Sequence, residues 1–198
     1  MSREEKDYVP SGSQTVGPFF RIGLTPDGSL GKMAAEKAQG QHIRLRVIVL
    51  DSDGVGIPDA MIELWQADAN GKYNHAADTQ PKTFDPEFTG FGRLESDQNG
   101  EMVFETVLPG RVPGPDGNLQ APHINVHVFS RGILLHSSTR IYFAGDPANE
   151  EDAVLRLVPA ARKETLMAHP DATRPGTWTI TLRMYGKDET VFFDAQRS

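Results

Sequence analysis

The sequence contains no cysteine among its 198 residues. That excludes a disulfide framework, thiolate catalysis and any cysteine-ligated metal centre. It has no apolar run of membrane-spanning length, and its opening residues, MSREEKDYVPSGSQ, lack the apolar stretch of a signal peptide. The expectation is a cytoplasmic protein with no membrane partner. Basic charge is not in excess: 20 Lys and Arg stand against 27 Asp and Glu, a net charge of −7. Nucleic acid binding calls for a basic face, so no nucleic-acid partner is expected. Tryptophan occurs only twice, which argues against the aromatic platform of a sugar-binding module.

What is present is the composition of a soluble globular protein, 38% hydrophobic and 24% charged. The length fits one domain with a sizeable core. Glycine (19) and proline (14) are numerous and well spread, as expected of many turns between short strands.

The chain reads as an irregular arm over residues 1–40, part of the same domain as a β-rich body over 41–198. HIRLRVIVL (42–50) alternates and then becomes continuously apolar, the pattern of a strand, and MIELWQA (61–67) follows after a turn rich in Asp, Gly and Pro. FGRLESDQNGEMVFETVLPG (91–110) predicts two strands joined as a hairpin by Asn99-Gly100. HINVHVFS (123–130) and STRIYFAG (138–145) predict a second hairpin, and TWTITLRM (177–184) and TVFFD (190–194) close the sheets. One short helix is expected over 149–158, with Asn149 as its cap, Asp152 in its first turn and Pro159 ending it. Many strands and one helix imply an all-β sandwich or barrel.

QAPHINVHVFSRG (120–132) places His123, Asn125 and His127 on one face of a strand, because side chains two apart share a face. His-x-His at that spacing is a common metal-binding arrangement; here Asn occupies the middle position. Glu63 shares a strand face with Trp65 and reads as a half-exposed strand carboxylate, while Trp65 is expected in the core.

The motifs SQTVGPFF (13–20), IELWQADANGKY (62–73), FGR (91–93), APHINVHVFSRG (121–132), RIYFAGD (140–146), RKETLMA (162–168) and TVFFD (190–194) occur in this order over nearly the whole chain. In them the sequence closely resembles the intradiol aromatic ring-cleavage dioxygenases. The resemblance implies a mixed two-sheet β-sandwich. It implies a non-haem Fe(III) held by two Tyr and two His, and insertion of O2 between the two hydroxylated carbons of a catechol.

Residue by residue, Tyr73 matches the family's first tyrosine ligand and His123 the first histidine. Asn125 stands where the second histidine belongs, and Val112 where the second tyrosine does. Gln120 replaces an Arg three residues before the first His. The other tyrosines, Tyr8, Tyr142 and Tyr185, offer no nearby substitute at the sequence level. These departures resemble the alpha, non-iron type of subunit, which pairs with an iron-bearing beta subunit of the same fold. The resemblance then implies that Fe(III) is held by the partner, that the assembly is a hetero-oligomer, and that this chain alone is inactive. It further implies that Thr15, Gly17 and Pro18, with Arg131 of FSRG, form one wall of a pocket for a carboxylated catechol such as protocatechuate. Two other readings stay open. One is a self-sufficient metalloenzyme with an altered site built from His123, His127 and His136; the other is a non-catalytic β-sandwich that binds carbohydrate or protein.

Overall fold

The computed structural model describes residues 12–26, 28–115 and 117–194. Tyr8 and the start of the expected arm lie outside the described residues.

Eight strands form one hydrogen-bonded order, β3-β2-β5-β6-β7-β8-β1-β4. They are β1 (His42–Leu50), β2 (Met61–Trp65), β3 (Phe91–Glu95), β4 (Glu101–Val107), β5 (His123–Phe129), β6 (Ser137–Phe143), β7 (Met167–Pro170) and β8 (Thr177–Arg183). The alternation of β1 drives Ile43, Leu45, Val47 and Val49 inward and leaves His42 and Arg44 exposed. Residues two apart share a strand face, so one face of the strand is core and the other is not. β1 runs antiparallel to β4 and parallel to β8, which makes the sheet mixed.

The order divides into two leaves, β8-β1-β4 and β3-β2-β5-β6. β7 joins them, pairing parallel with β6 and antiparallel with β8. Leu45, Val47 and Phe104 of the first leaf and Leu64, Val126 and Ile141 of the second belong to one buried cluster. Burying each such side chain contributes about 1.5–3 kcal/mol. The two-sheet sandwich expected from the sequence is therefore the observed architecture.

Some local expectations need correction. Residues 91–110 do not form a hairpin: β3 pairs with β2, β4 pairs with β1, and the two strands lie at opposite ends of the strand order. The Asn99-Gly100 turn is closed locally by Gly100 N–H to Asp97 O (3.0 Å) and Asp97 N–H to Glu101 O (2.9 Å), and it carries the chain from one leaf to the other. Turn chemistry specifies a reversal but not a partner. The partners are fixed across other strands, where Arg93 pairs with Glu63 and Arg46 with Glu101. Gly100 has φ +77°, and a Cβ there would lie 2.3 Å from Val49 O, so only glycine lets the turn sit against β1.

The single helix expected over 149–158 is a 3-10 turn, Pro147–Glu150, followed by α2 (Ala153–Leu157). Asp152 caps α2, accepting from Val154 and Leu155 N–H, both at 2.9 Å. Asn149 is not a cap; it donates to Phe143 O at 2.8 Å. A helix missed in the arm, α1 (Pro18–Leu24), starts with proline in its first turn, a position proline favours. TVFFD is not a strand. It makes one bridge, Phe193 to Ser138, and Val191 and Phe193 pack on a second small core around Tyr142, Leu155 and Leu166. Among the described residues no helix is long and apolar enough to cross a membrane.

Candidate functional site

The outer face of the second leaf carries the polar positions that alternate with the core. Register aligns them in rows: Tyr142 with His123; Arg140 with Asn125, Trp65 and Phe91; Ser138 with His127, Glu63 and Arg93. Trp65 is consequently not a core residue. It is half-buried on this face and stacks on Tyr73, with ring centroids 5.8 Å apart and planes at 15°.

Tyr73 is brought here by the loop after β2. The buried Asp68 carboxylate accepts from Asn70 and Lys72 N–H at 2.9 Å and from Asp85 N–H at 3.0 Å. Gly71, at φ +75°, passes so close to Arg111 that a Cβ would lie 2.1 Å from its carbonyl oxygen. Asp78 then takes Tyr73 N–H at 2.8 Å. Burial alone would raise the Asp78 carboxyl, but hydrogen bonds from Tyr73, Gln80 and Lys72 outweigh it and hold the group down at about 2.

Three of the four degenerate ligand positions, Tyr73, Val112 and Asn125, come together. Asn125 Nδ2 donates to the Tyr73 hydroxyl at 3.3 Å, and Val112 lines a cavity with Tyr73 and Trp65. His123 is buried; its Nδ1 lies 2.8 Å from Ala121 O and its ring tilts against Tyr142 at 5.8 Å. Burial, and then the charge of Arg140, push the His123 imidazole down to about 4. Tyr73 is raised above its ordinary value by burial, partly offset by Arg140 and by the Asn125 hydrogen bond.

Sequence reasoning missed the side chain that organises this cluster. Arg140 donates through one nitrogen to Gln120 Oε1 at 2.7 Å and to the Tyr142 hydroxyl at 3.3 Å. Tyr142 itself lies beside His123. Burial raises its phenol far above the usual value, and the hydroxyl donates to Asp152 Oδ1 at 3.2 Å, so it is no source of phenolate. The available signal was the alternation of STRIYFAG, which puts Arg140 and Tyr142 on the face opposite Ile141.

These residues do not fit Fe(III). A hard ferric ion calls for anionic oxygen ligands with imidazole. Here one tyrosine position is the hydrocarbon Val112, and one histidine position is an amide already spent as a donor to Tyr73. The remaining phenol is held neutral by burial, and the Arg140 guanidinium is near enough to act on both Tyr73 and His123. Among the described residues no group of three His, Cys, Asp or Glu could hold a metal ion. His127 and His136 lie close, with ring centroids at 4.9 Å. His123 is four residues up the strand from His127, about 13 Å away, so the three histidines do not form one site.

The other expected segment is also assembled. Thr15 Oγ1 accepts from Gly132 N–H at 2.9 Å, which ties the residues before α1 to the turn that holds Arg131. Arg131 is 60% exposed, with its nearest carboxylate, Asp59, at 3.6 Å. Asp59 also holds Arg21 of α1 at 2.9 Å and has φ +66°, an uncommon conformation for a residue with a side chain. Gly17 precedes α1, and a Cβ there would meet no atom of the described residues within 4 Å.

A family model described as Dioxygenase matches residues 16–184. The chain is 45% identical over 195 residues to the protocatechuate 3,4-dioxygenase alpha chain of Burkholderia cepacia, covering 92% of this chain and 95% of that one. It is 32% identical over 200 residues to the beta chain from the same organism, covering 95% and 81%. Among solved structures it is similar in fold to 3-chlorocatechol 1,2-dioxygenase of Rhodococcus opacus, with TM-score 0.61 and 18% identity over 89% of this chain and 68% of that one.

Proposed function

Because this chain belongs to the intradiol ring-cleavage dioxygenase family, we propose that it acts as an alpha-type subunit of a protocatechuate 3,4-dioxygenase. The reaction is cleavage of protocatechuate between its hydroxylated carbons with O2, giving 3-carboxy-cis,cis-muconate. Fe(III) belongs to the partner beta subunit, and the working enzyme is a hetero-oligomer of alpha–beta pairs. The observation that carries this reading is the loss of two ligand positions, Val112 and Asn125, in a chain 45% identical to an alpha chain. That pattern keeps the fold and abandons the metal.

The chain's own contribution is a wall of the partner's pocket, formed by Thr15, Gly17, Pro18 and Arg131. The Thr15–Gly132 hydrogen bond supports this, since it holds the QTVGP segment against the Arg131 turn. An exposed guanidinium suits the carboxylate of protocatechuate. A glycine facing open space lets another chain or a ligand approach the backbone.

The test is co-expression with an iron-bearing beta subunit. The two chains are expected to purify together and to consume O2 when given protocatechuate. Failure of any beta chain to co-purify, with no activity in the mixture, would refute the subunit role.

A further inference from the structure

A cavity of about 620 Å³ opens on the outer face of the second leaf. Its lining is mostly apolar, with Trp65, Phe91 and Phe193 as aromatic walls and Arg140 and Asn125 facing each other across β5 and β6. The size falls in the range of small-molecule sites. No role proposed above uses this cavity.

Arg140 is the guanidinium in its lining. Arg21, Arg46 and Arg93 are similarly half-buried and each is held by a carboxylate; Arg162 and Arg183 have no carboxylate partner among the described residues, but they do not line the cavity. Arg140 has no carboxylate partner among the described residues; its hydrogen bonds are to a neutral amide and a neutral phenol through one nitrogen. Arg140 itself lines the cavity. A half-buried guanidinium with no carboxylate partner among the described residues, in a lining that holds three aromatic rings, suits an aromatic anion.

The far end of the cavity is of the opposite kind. Glu63 and His127 occupy the next row of the register, two residues along each strand, about 6.5–7 Å away. Glu63 is engaged by Arg93 through Oε1, while Oε2 lies 4.0 Å from His127 Nδ1. This end offers Glu63 Oε2 as an acceptor for a hydroxyl. A benzene ring with a carboxylate at one end and a hydroxyl at the other spans the two rows.

We propose that this pocket is a second, non-catalytic site for a hydroxylated aromatic carboxylate, with the carboxylate on Arg140 and the hydroxyl on Glu63. The proposal rests on the pocket alone and not on the subunit role.

The probe is 4-hydroxybenzoate, which carries both groups and is not a catechol. Trp65 lines the pocket and Trp178 packs edge-on against Phe143 in the core, so a Trp178→Phe chain, purified without a partner subunit, reports from Trp65 alone. Titration is expected to quench its fluorescence to saturation at one ligand per chain by equilibrium dialysis. Benzoate should bind more weakly, and phenol more weakly still. Arg140→Gln should weaken 4-hydroxybenzoate roughly tenfold to a hundredfold, with Arg140→Lys between the two. Ser138→Phe, which fills the cavity while keeping the cation, should abolish binding and covers the case in which Arg140→Gln fails to fold. No saturable binding, affinity unmoved by both Arg140→Gln and Ser138→Phe, or phenol binding as tightly as the acid would overturn the proposal.

Discussion

Arg131 is the residue on which this chain's share of the chemistry is most sharply tested. Its side chain is 60% exposed and only loosely paired with Asp59, so its charge is available to a substrate carboxylate. A charge-assisted contact of about 1.5–3 kcal/mol makes the expected loss in kcat/KM for Arg131→Ala roughly tenfold to a hundredfold. The loss should fall mainly on KM for protocatechuate, with iron content unchanged. Plain catechol lacks the carboxylate, and its turnover by the same assembly should change much less. Steady-state kinetics with both substrates decides; equal losses would mean that Arg131 only supports the Thr15 segment.

His123 makes a prediction in solution that needs no partner. Its folded-state value is about 4 against an ordinary 6.5, so the native state keeps the imidazole neutral where the unfolded chain protonates. Between those values the unfolded state binds more protons, and stability rises with pH. The contribution is complete above pH 6.5 and is lost as pH falls toward 4, on the order of 3 kcal/mol in all. Urea unfolding at pH 7.5 and pH 4.5 should show a smaller difference in His123→Phe than in the parent chain. An unchanged difference would mean that the acid sensitivity lies elsewhere.

At the scale of elements, α2 hangs on one buried carboxylate. Asp152 accepts from Val154 and Leu155 N–H, from Ala121 N–H at 2.8 Å and from the Tyr142 hydroxyl at 3.2 Å, with no exposed surface. Asp152→Ala removes a helix cap and strands buried donors, which together should cost about 2–4 kcal/mol. A loss below about 0.5 kcal/mol in denaturant unfolding would show that the cap and its neighbours are satisfied some other way.

The same elements show what could be read ahead of the structure. β1, β2, β5 and β6 were legible because alternation is a local signal, and β5–β6 is the hairpin the sequence promised. The 91–110 segment was misread because an Asn-Gly turn looks the same whether its arms pair with each other or with distant strands. α1 was missed because seven residues starting at a proline carry little periodicity. In the site, the vacated ligand positions were legible only through the family's motifs. Arg140 was not, because its meaning lies in Gln120, which reaches it from the loop before β5, and in the burial of Tyr142 two residues along its own strand.

At the scale of the whole molecule, the described residues present apolar surface on α1. Phe19 is 82% exposed and Ile22 54%, on the same short helix that Arg21 anchors to Asp59 and Glu95. Phe20, by contrast, packs on Phe129 at 5.4 Å. Apolar side chains exposed on an anchored helix mark a contact surface. Phe19→Ser should therefore weaken association with a beta subunit in sedimentation experiments while leaving the melting temperature of this chain nearly unchanged. Undiminished association would move the interface away from α1.

Metal analysis of this chain, purified alone and again in complex with an iron-bearing beta subunit, tests the division of labour itself. The account predicts only trace iron and no visible phenolate-to-iron colour in the chain alone, and iron matching the beta subunit, not the total chains, in the complex. Stoichiometric ferric iron and that colour in the isolated chain would contradict it.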